Sequence, residues 1–164
     1  MNIKYIYDIK LRELQLEEGQ RELTNRRSKI NNEFQGYCIL WNNKNSNGQY
    51  FTLKTDFGNL NNVNKVVVFI NGHDVIIGQV KLSKDELGIQ AEIEIDISTE
   101  KGLDYAENIN NLFLKGAVQI KANPDIEKIQ NHYGDMSSED GHIKYWPIAD
   151  IMLILIPANP RLST

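Results

Sequence analysis

Cysteine is almost missing from this chain: a single thiol, Cys38, stands among 164 residues. No disulfide can form within it, so a small disulfide-knotted secreted fold is excluded and a reducing compartment or an intracellular assembly route is expected. Positive charge is not in excess either. The net charge of −4 leaves no global field to draw the chain onto nucleic acid or an anionic membrane. No apolar run reaches the ~18 residues of a membrane span; the longest, around Ile148 to Ala158, reads as a buried strand. The opening Met1-Asn2-Ile3-Lys4-Tyr5 lacks the apolar core of a signal peptide. The three histidines, His73, His132 and His142, fit no metal-ligand spacing, and no cofactor motif is recognisable. What remains is 41% hydrophobic and 24% charged, the composition of one ordinary globular domain.

The chain divides at about residue 33. Residues 1–33 read as an N-terminal arm and residues 34–164 as the folded domain. In the arm, Ile3, Tyr5, Tyr7 and Ile9 alternate with Lys4, Asp8 and Lys10, a period-two pattern that Ile6 interrupts. The stretch Leu11 to Glu18 reads either as a short helix ended by Gly19 or as an extended arm with a turn, and the pattern does not decide between them. Arg21, Arg26, Arg27 and Lys29 form a local basic run. Glu17, Glu18, Glu22 and Glu33 neutralise it, so a solvated face is a better reading than a nucleic-acid patch.

Strand signals follow in close succession. Phe34 to Trp41 is dense in large apolar residues. The Asn- and Gly-rich loop 42–48 tolerates positive φ and leads to a second run, Gln49 to Leu53, which predicts a hairpin with a long loop. Lys65 to Ile70 and Val75 to Leu82 flank Asn71-Gly72-His73-Asp74. Asp85-Glu86-Leu87-Gly88 makes the next turn, and Ile89 to Ile97 alternates without fault. Ser98-Thr99-Glu100 caps a helix over 99–115 with the stripe Leu103, Ala106, Ile109 and Phe113, closed by Gly116. Ala117 to Ala122 and Asp150 to Ile156 complete the strands, separated by a polar, turn-rich stretch 124–141 that contains Asp140-Gly141. The pattern predicts a mainly β protein with one or two helices, a compact antiparallel β-barrel with the 99–115 helix on its outside.

Three positions carry the candidate chemistry. His73 follows a strand-to-strand turn, Asp150 opens the last apolar strand, and the strand Ala117 to Ala122 lies between them in sequence. A serine on that strand would complete a site in which imidazole takes the hydroxyl proton and a carboxylate orients the imidazole; none is there. Ser137-Ser138 stands in an acidic loop poorly suited to holding an attack geometry. Cys38 lies within an apolar strand, which suits a core thiol better than a nucleophile. His142 reads as a hairpin residue. Trp41, Trp146, Tyr133 and Tyr145 read as core or barrel-rim packing, with anchoring of a partner as the sharper alternative.

The order of these features resembles the phage prohead protease family, which shares its barrel with the herpesvirus assembly proteases. Gly36-Tyr37-Cys38-Ile39-Leu40-Trp41-Asn42 is similar to the family's opening Gly-Tyr-Ala strand. Asn71-Gly72-His73-Asp74 followed by Ile77-Gly78 is similar to its catalytic histidine turn. Leu114-Lys115-Gly116-Ala117 resembles the helix end before its nucleophile strand, and Asp150 with Pro157-Ala158-Asn159-Pro160 resembles its closing strand. The resemblance spans about residues 34–160 and implies the barrel fold and a phage-head setting. It places Gln119 where the family has serine and Lys121 where it has glycine, so His73, Gln119 and Asp150 are expected as relic positions that cluster without activity. The implied role is a structural or auxiliary head protein, assembled in the bacterial cytoplasm and carried in the virion. Its expected partners are the major capsid protein and neighbouring head proteins, with a homo-oligomer as a further option, and neither nucleic acid nor membrane. The alternative is an active maturation serine protease that processes scaffold and capsid precursors.

Overall fold

The alternating segments become the walls of a barrel. The computed structural model describes residues 18–156 and begins with helix α1 (18–29). There follow β1 (Glu33–Leu40), a 3-10 turn (Leu60–Asn62), β2 (Lys65–Ile70), β3 (His73–Lys84) and β4 (Gly88–Ile95). The chain continues through α2 (Glu100–Leu114), β5 (Val118–Pro124), α3 (Ile126–Gln130) and β6 (Ile148–Leu155). The strands form one six-stranded sheet in the order β1-β4-β3-β2-β6-β5. All of its pairings are antiparallel except β2 with β6. The mainly β, barrel-like expectation holds. The sheet curls until its two edges meet through side chains: a Cβ on Gly36 of β1 would lie 2.7 Å from Cδ1 of Ile120 on β5. No ladder pairs β1 with β5, so the barrel is nearly closed.

Local chemistry accounts for the turns. Asn71 (φ 51°) and Gly72 (φ 84°) both take positive φ, and the Ile70–His73 pair closes around them. That is the two-residue hairpin turn whose twist matches the flanking strands. Between β3 and β4, Asp85 Oδ1 accepts the backbone N–H groups of Leu87 (2.8 Å) and Gly88 (3.1 Å). Thr99 caps α2 by accepting from Gly102 N–H at 3.0 Å, one of the donors that a helix start leaves unpaired.

The interior is a single apolar cluster fed by every strand and by α2. One row of paired residues crosses five strands: Ala122, Ile151, Val66, Gly78 and Ile95, all of them buried. Ala106 and Ile109 of α2 join the same cluster, and Phe113 packs on Phe34 of β1 with ring centroids 5.4 Å apart. The helix therefore lays its apolar stripe on the barrel's core and leaves its other face, with Lys101, Asp104 and Asn108, exposed.

Three expectations change. Gly19 does not end a helix; α1 passes through it. Within the basic run on α1, Arg21 and Lys29 are exposed, whereas Arg26 bridges Asp104 (2.7 Å) and Glu107 (3.0 Å) of α2. Arg27 donates to the carbonyls of Ile97 (2.9 Å) and Ser98 (2.8 Å). The predicted strand Gln49 to Leu53 is not a strand. It makes single bridges only, Trp41 to Phe51 and Tyr50 to His142, because Thr52 and Thr55 bond their own turn: Thr55 Oγ1 accepts from Thr52 N–H (3.1 Å) and Thr52 Oγ1 from Lys54 N–H (3.1 Å). The period-two reading of Ile3 to Ile9 and the motif Pro157 to Pro160 lie outside the described residues. No helix among the described residues is long and apolar enough to cross a membrane.

Val66 and Ile151 are both fully buried at the centre of the row. Ile151→Ala is expected to lower the unfolding free energy by about 2–5 kcal/mol. Leu87→Ala, in the β3–β4 turn at 62% exposure, should change it by no more than about 0.5 kcal/mol. Urea unfolding of the two variants checks this, and equal losses would contradict the assigned core.

Candidate functional site

The three relic positions do not come together. His73 is the first residue of β3, exposed, and paired with Ile70. Gln119 lies on β5 opposite Ile154, with an exposed side chain. In the order β1-β4-β3-β2-β6-β5, strands β3 and β5 stand three steps apart in either direction around the barrel. That is roughly 14 Å of wall at ~4.8 Å per strand. Asp150 precedes Ile151, the partner of Val66, whereas His73 faces Ile70. Five residues of strand therefore separate their levels, about 16 Å at ~3.3 Å each. Asp150 is engaged elsewhere: its Oδ1 accepts from Asn123 Nδ2 at 2.8 Å. The expected His73–Gln119–Asp150 cluster is thus corrected. The physical reason is that order along the chain does not fix which stave or which face of a barrel a residue occupies.

Gln119 instead borders the seam between β1 and β5, in a shallow groove with Cys38, Leu40, Phe113 and Val118. Neither an imidazole nor a carboxylate lines that groove. Its carboxamide is no nucleophile, because the nitrogen lone pair is delocalised into the carbonyl. Cys38 is no substitute. Its Sγ donates to the carbonyl of Ile89 at 3.5 Å, and burial pushes the thiol pKa up to about 12, so the reactive thiolate is scarce at neutral pH.

Polar side chains do converge at a different place, where the segment 49–56 meets the segment 136–145. Ser138 Oγ donates to Asp140 Oδ1 (2.5 Å), Tyr50 Oη donates to Asp140 Oδ2 (2.7 Å), and the His142 N–H also reaches Oδ1 (3.2 Å). These donors hold the Asp140 carboxyl well below the usual carboxylate range, the Ser138 hydroxyl contributing most and Tyr50 next. His142 stacks on Tyr50 with centroids 5.5 Å apart, and its Nε2 lies 2.8 Å from Thr52 Oγ1. Thr55 Oγ1 donates to the carbonyl of Ile143 at 2.6 Å.

The cluster contains serine, carboxylate and imidazole, but not in the order that activates a hydroxyl. The Ser138 proton is committed to a carboxylate of low basicity, and the imidazole faces a threonine that already accepts from Lys54 N–H. The arrangement cross-links two loops. Sequence reasoning singled out Ser138 and His142 and missed Tyr50 and Thr52, whose partners lie 90 residues away. The Asp140-Gly141 turn was the one local signal. A short helix, α3, also went unread although Asp125 caps it by accepting from Lys128 N–H at 3.2 Å. Beyond it, His132 stacks on Tyr145 at 4.0 Å, and Tyr133 is 99% exposed. Among the described residues no group of three or more His, Cys, Asp or Glu side chains is placed to hold a metal ion.

Comparisons with models of protein families, with curated protein sequences and with solved structures find no match to this chain.

The Asp140 cluster has a measurable signature. Its carboxyl is more acidic folded than unfolded, so its stabilising contribution is complete above the unfolded pKa of ~3.9. That contribution is lost as the pH falls below this value toward the folded one. A carbon-13 NMR titration of the Asp140 carboxyl is expected to show a midpoint below the ordinary range, moving upward in Ser138→Ala and, by less, in Tyr50→Phe. An unchanged midpoint in both variants would contradict the assigned hydrogen bonds.

Proposed function

We propose that this chain is a structural or auxiliary component of a bacteriophage head, a catalytically inactive barrel of the prohead protease type that binds capsid subunits. The reading rests on the ordered run of motifs from Gly36 to Asp150, and its non-catalytic part is supported by the separation of His73, Gln119 and Asp150 onto different staves and levels of the barrel. Acyl transfer needs a nucleophile and a base within hydrogen-bond reach. The position that the resemblance assigns to the nucleophile holds a carboxamide, and the nearest histidine in the family's order is three strands away. The ordered run of motifs from Gly36 to Asp150 supports the phage-head setting, and Tyr133, 99% exposed in the loop whose sequence also carries Asp135 and Glu139, supports docking through the 131–141 loop. An exposed aromatic with few rotatable bonds is a low-entropy anchor for a partner surface. The chain would then act inside the virion as a rigid body that stays whole.

A time course with a capsid-scaffold precursor tests the reading. The unmodified chain and Gln119→Ser are both expected to leave the precursor intact, since the substituted hydroxyl would find no imidazole near it. Rapid cleavage by the unmodified chain that disappears in Ser138→Ala would establish a maturation protease and overturn the proposal. Cleavage gained in Gln119→Ser would show that His73 reaches β5 after all.

A further inference from the structure

Three places in the chain put a carboxamide or a carboxylate directly before glycine: Asn47-Gly48, Asn71-Gly72 and Asp140-Gly141. At such a pair the backbone nitrogen of glycine can attack the side-chain carbonyl carbon of the residue before it, because no Cβ blocks the approach. An asparagine expels ammonia in that step. An ionised carboxylate is a far poorer electrophile, since its charge is spread over both oxygens and repels the incoming nitrogen. Two conditions then decide which asparagine reacts. The glycine N–H must be free to lose its proton, and the chain must be free to turn about the preceding Cα–C bond until the nitrogen lies over Cγ.

Two of the three pairs fail these conditions. Gly48 N–H donates to the carbonyl of Asn45 and Gly141 N–H to that of Ser138, each at 3.0 Å. Asn45 Oδ1 also accepts from the N–H groups of Asn47 and Gln49, both at 2.9 Å, so the backbone is pinned on either side of Gly48. The two glycines buttress each other, because a Cβ on Gly141 would run into the carbonyl oxygen of Gly48. Asn71-Gly72 is built differently. Its residues are the two turn positions between β2 and β3, with φ of 51° and 84°, and the turn is closed by the Ile70–His73 pair. No acceptor among the described residues takes the Gly72 N–H. Asn71, Gly72, His73 and Asp74 are all exposed, and a Cβ on Gly72 would meet nothing within 4 Å. Rotation about the Asn71 Cα–C bond is resisted by one terminal pair, Ile70–His73. Opening at the end of a hairpin is among the lowest-energy forms of local unfolding.

We propose that Asn71 is a site of spontaneous covalent modification in the folded chain. Gly72 N gives up its proton and forms a bond to Asn71 Cγ; the Cγ–Nδ2 bond breaks, and Nδ2 takes up a proton and leaves as ammonia. Water then adds to one of the two carbonyls of the five-membered imide. Opening at one carbonyl leaves an aspartate at this position. Opening at the other carries the main chain through Cβ and Cγ, an isoaspartate. Aspartate before glycine suits the same turn and keeps the hairpin. Isoaspartate adds a backbone atom to a two-residue turn, so the Ile70–His73 register is lost. Either product adds one negative charge to a chain whose net charge is −4. The proposal is independent of the head-protein reading.

Ageing of the unmodified full chain in warm neutral buffer tests it. Peptide mass spectrometry reads the loss of the amide at Asn71 and at Asn47 over time, and enzymatic methylation of the freed α-carboxyl reads isoaspartate. Asn71 should convert several-fold faster than Asn47, and faster as the pH rises, because the deprotonated nitrogen is the attacking species. A parallel incubation in concentrated urea removes the fold, and there the two asparagines should convert at similar rates. Equal rates in the folded chain would overturn the proposal, as would faster conversion at Asn47 or conversion of Asn71 only in urea. A preference for Asn71 that persists undiminished in urea would assign it to the neighbouring sequence rather than to the turn, and would also overturn it.

Discussion

The parallel seam between β2 and β6 is the contact on which the rest of this molecule depends. Two pairs make it, Val66 with Ile151 and Val67 with Met152. They join an antiparallel meander, β1-β4-β3-β2, to the separate β5–β6 pair. Without them there are two small sheets, each with an open apolar face. With them the row from Ala122 to Ile95 becomes continuous, the sheet curls far enough for Ile120 to occupy the space over Gly36, and the α2 stripe has an interior to enter. The seam is also the most distant strand-to-strand ladder among the described residues, 85 residues in sequence between its partners. Closing that loop costs chain entropy before burial returns it.

The same seam decides where chemistry can occur. It sets β5 three strands from β3 and fixes the level of Asp150 against Lys65 rather than against the Asn71-Gly72 turn. A serine-type site needs three groups converging on one point to within about a hydrogen bond, and these positions miss by roughly 14–16 Å of strand spacing. The polar groups that do converge, at Tyr50, Thr52, Ser138, Asp140 and His142, satisfy one another. They tie the long segment between β1 and β2 to the loop before β6. Consistent with an account in which polar side chains serve the architecture, no buried side-chain nitrogen or oxygen among the described residues lacks a partner.

What the sequence revealed divides along the same line. The Asn71-Gly72 turn, the Asp85 turn, the alternation of β4 and the capped α2 are each decided within a few residues, and each was legible. The segment Gln49 to Leu53 has strand composition, but its two threonines bond a local turn and its long-range partners supply only single bridges. Gly19 signalled a helix end and was overridden by the docking of Arg26 and Arg27 on α2 and on the chain just before it. The relic positions failed for a related reason. A motif's place in sequence specifies neither its stave nor its face, and a shift of one residue reverses the face.

The central proposal is that this barrel would work in an assembled particle as an intact, non-catalytic body. Intact-mass measurement of the chain in mature phage particles tests it most directly. The account predicts the mass of the uncleaved chain at high copy number. Absence of the chain from mature particles, or its recovery only as cleaved fragments, would contradict the account and indicate a protease that processes its substrates and itself and then departs.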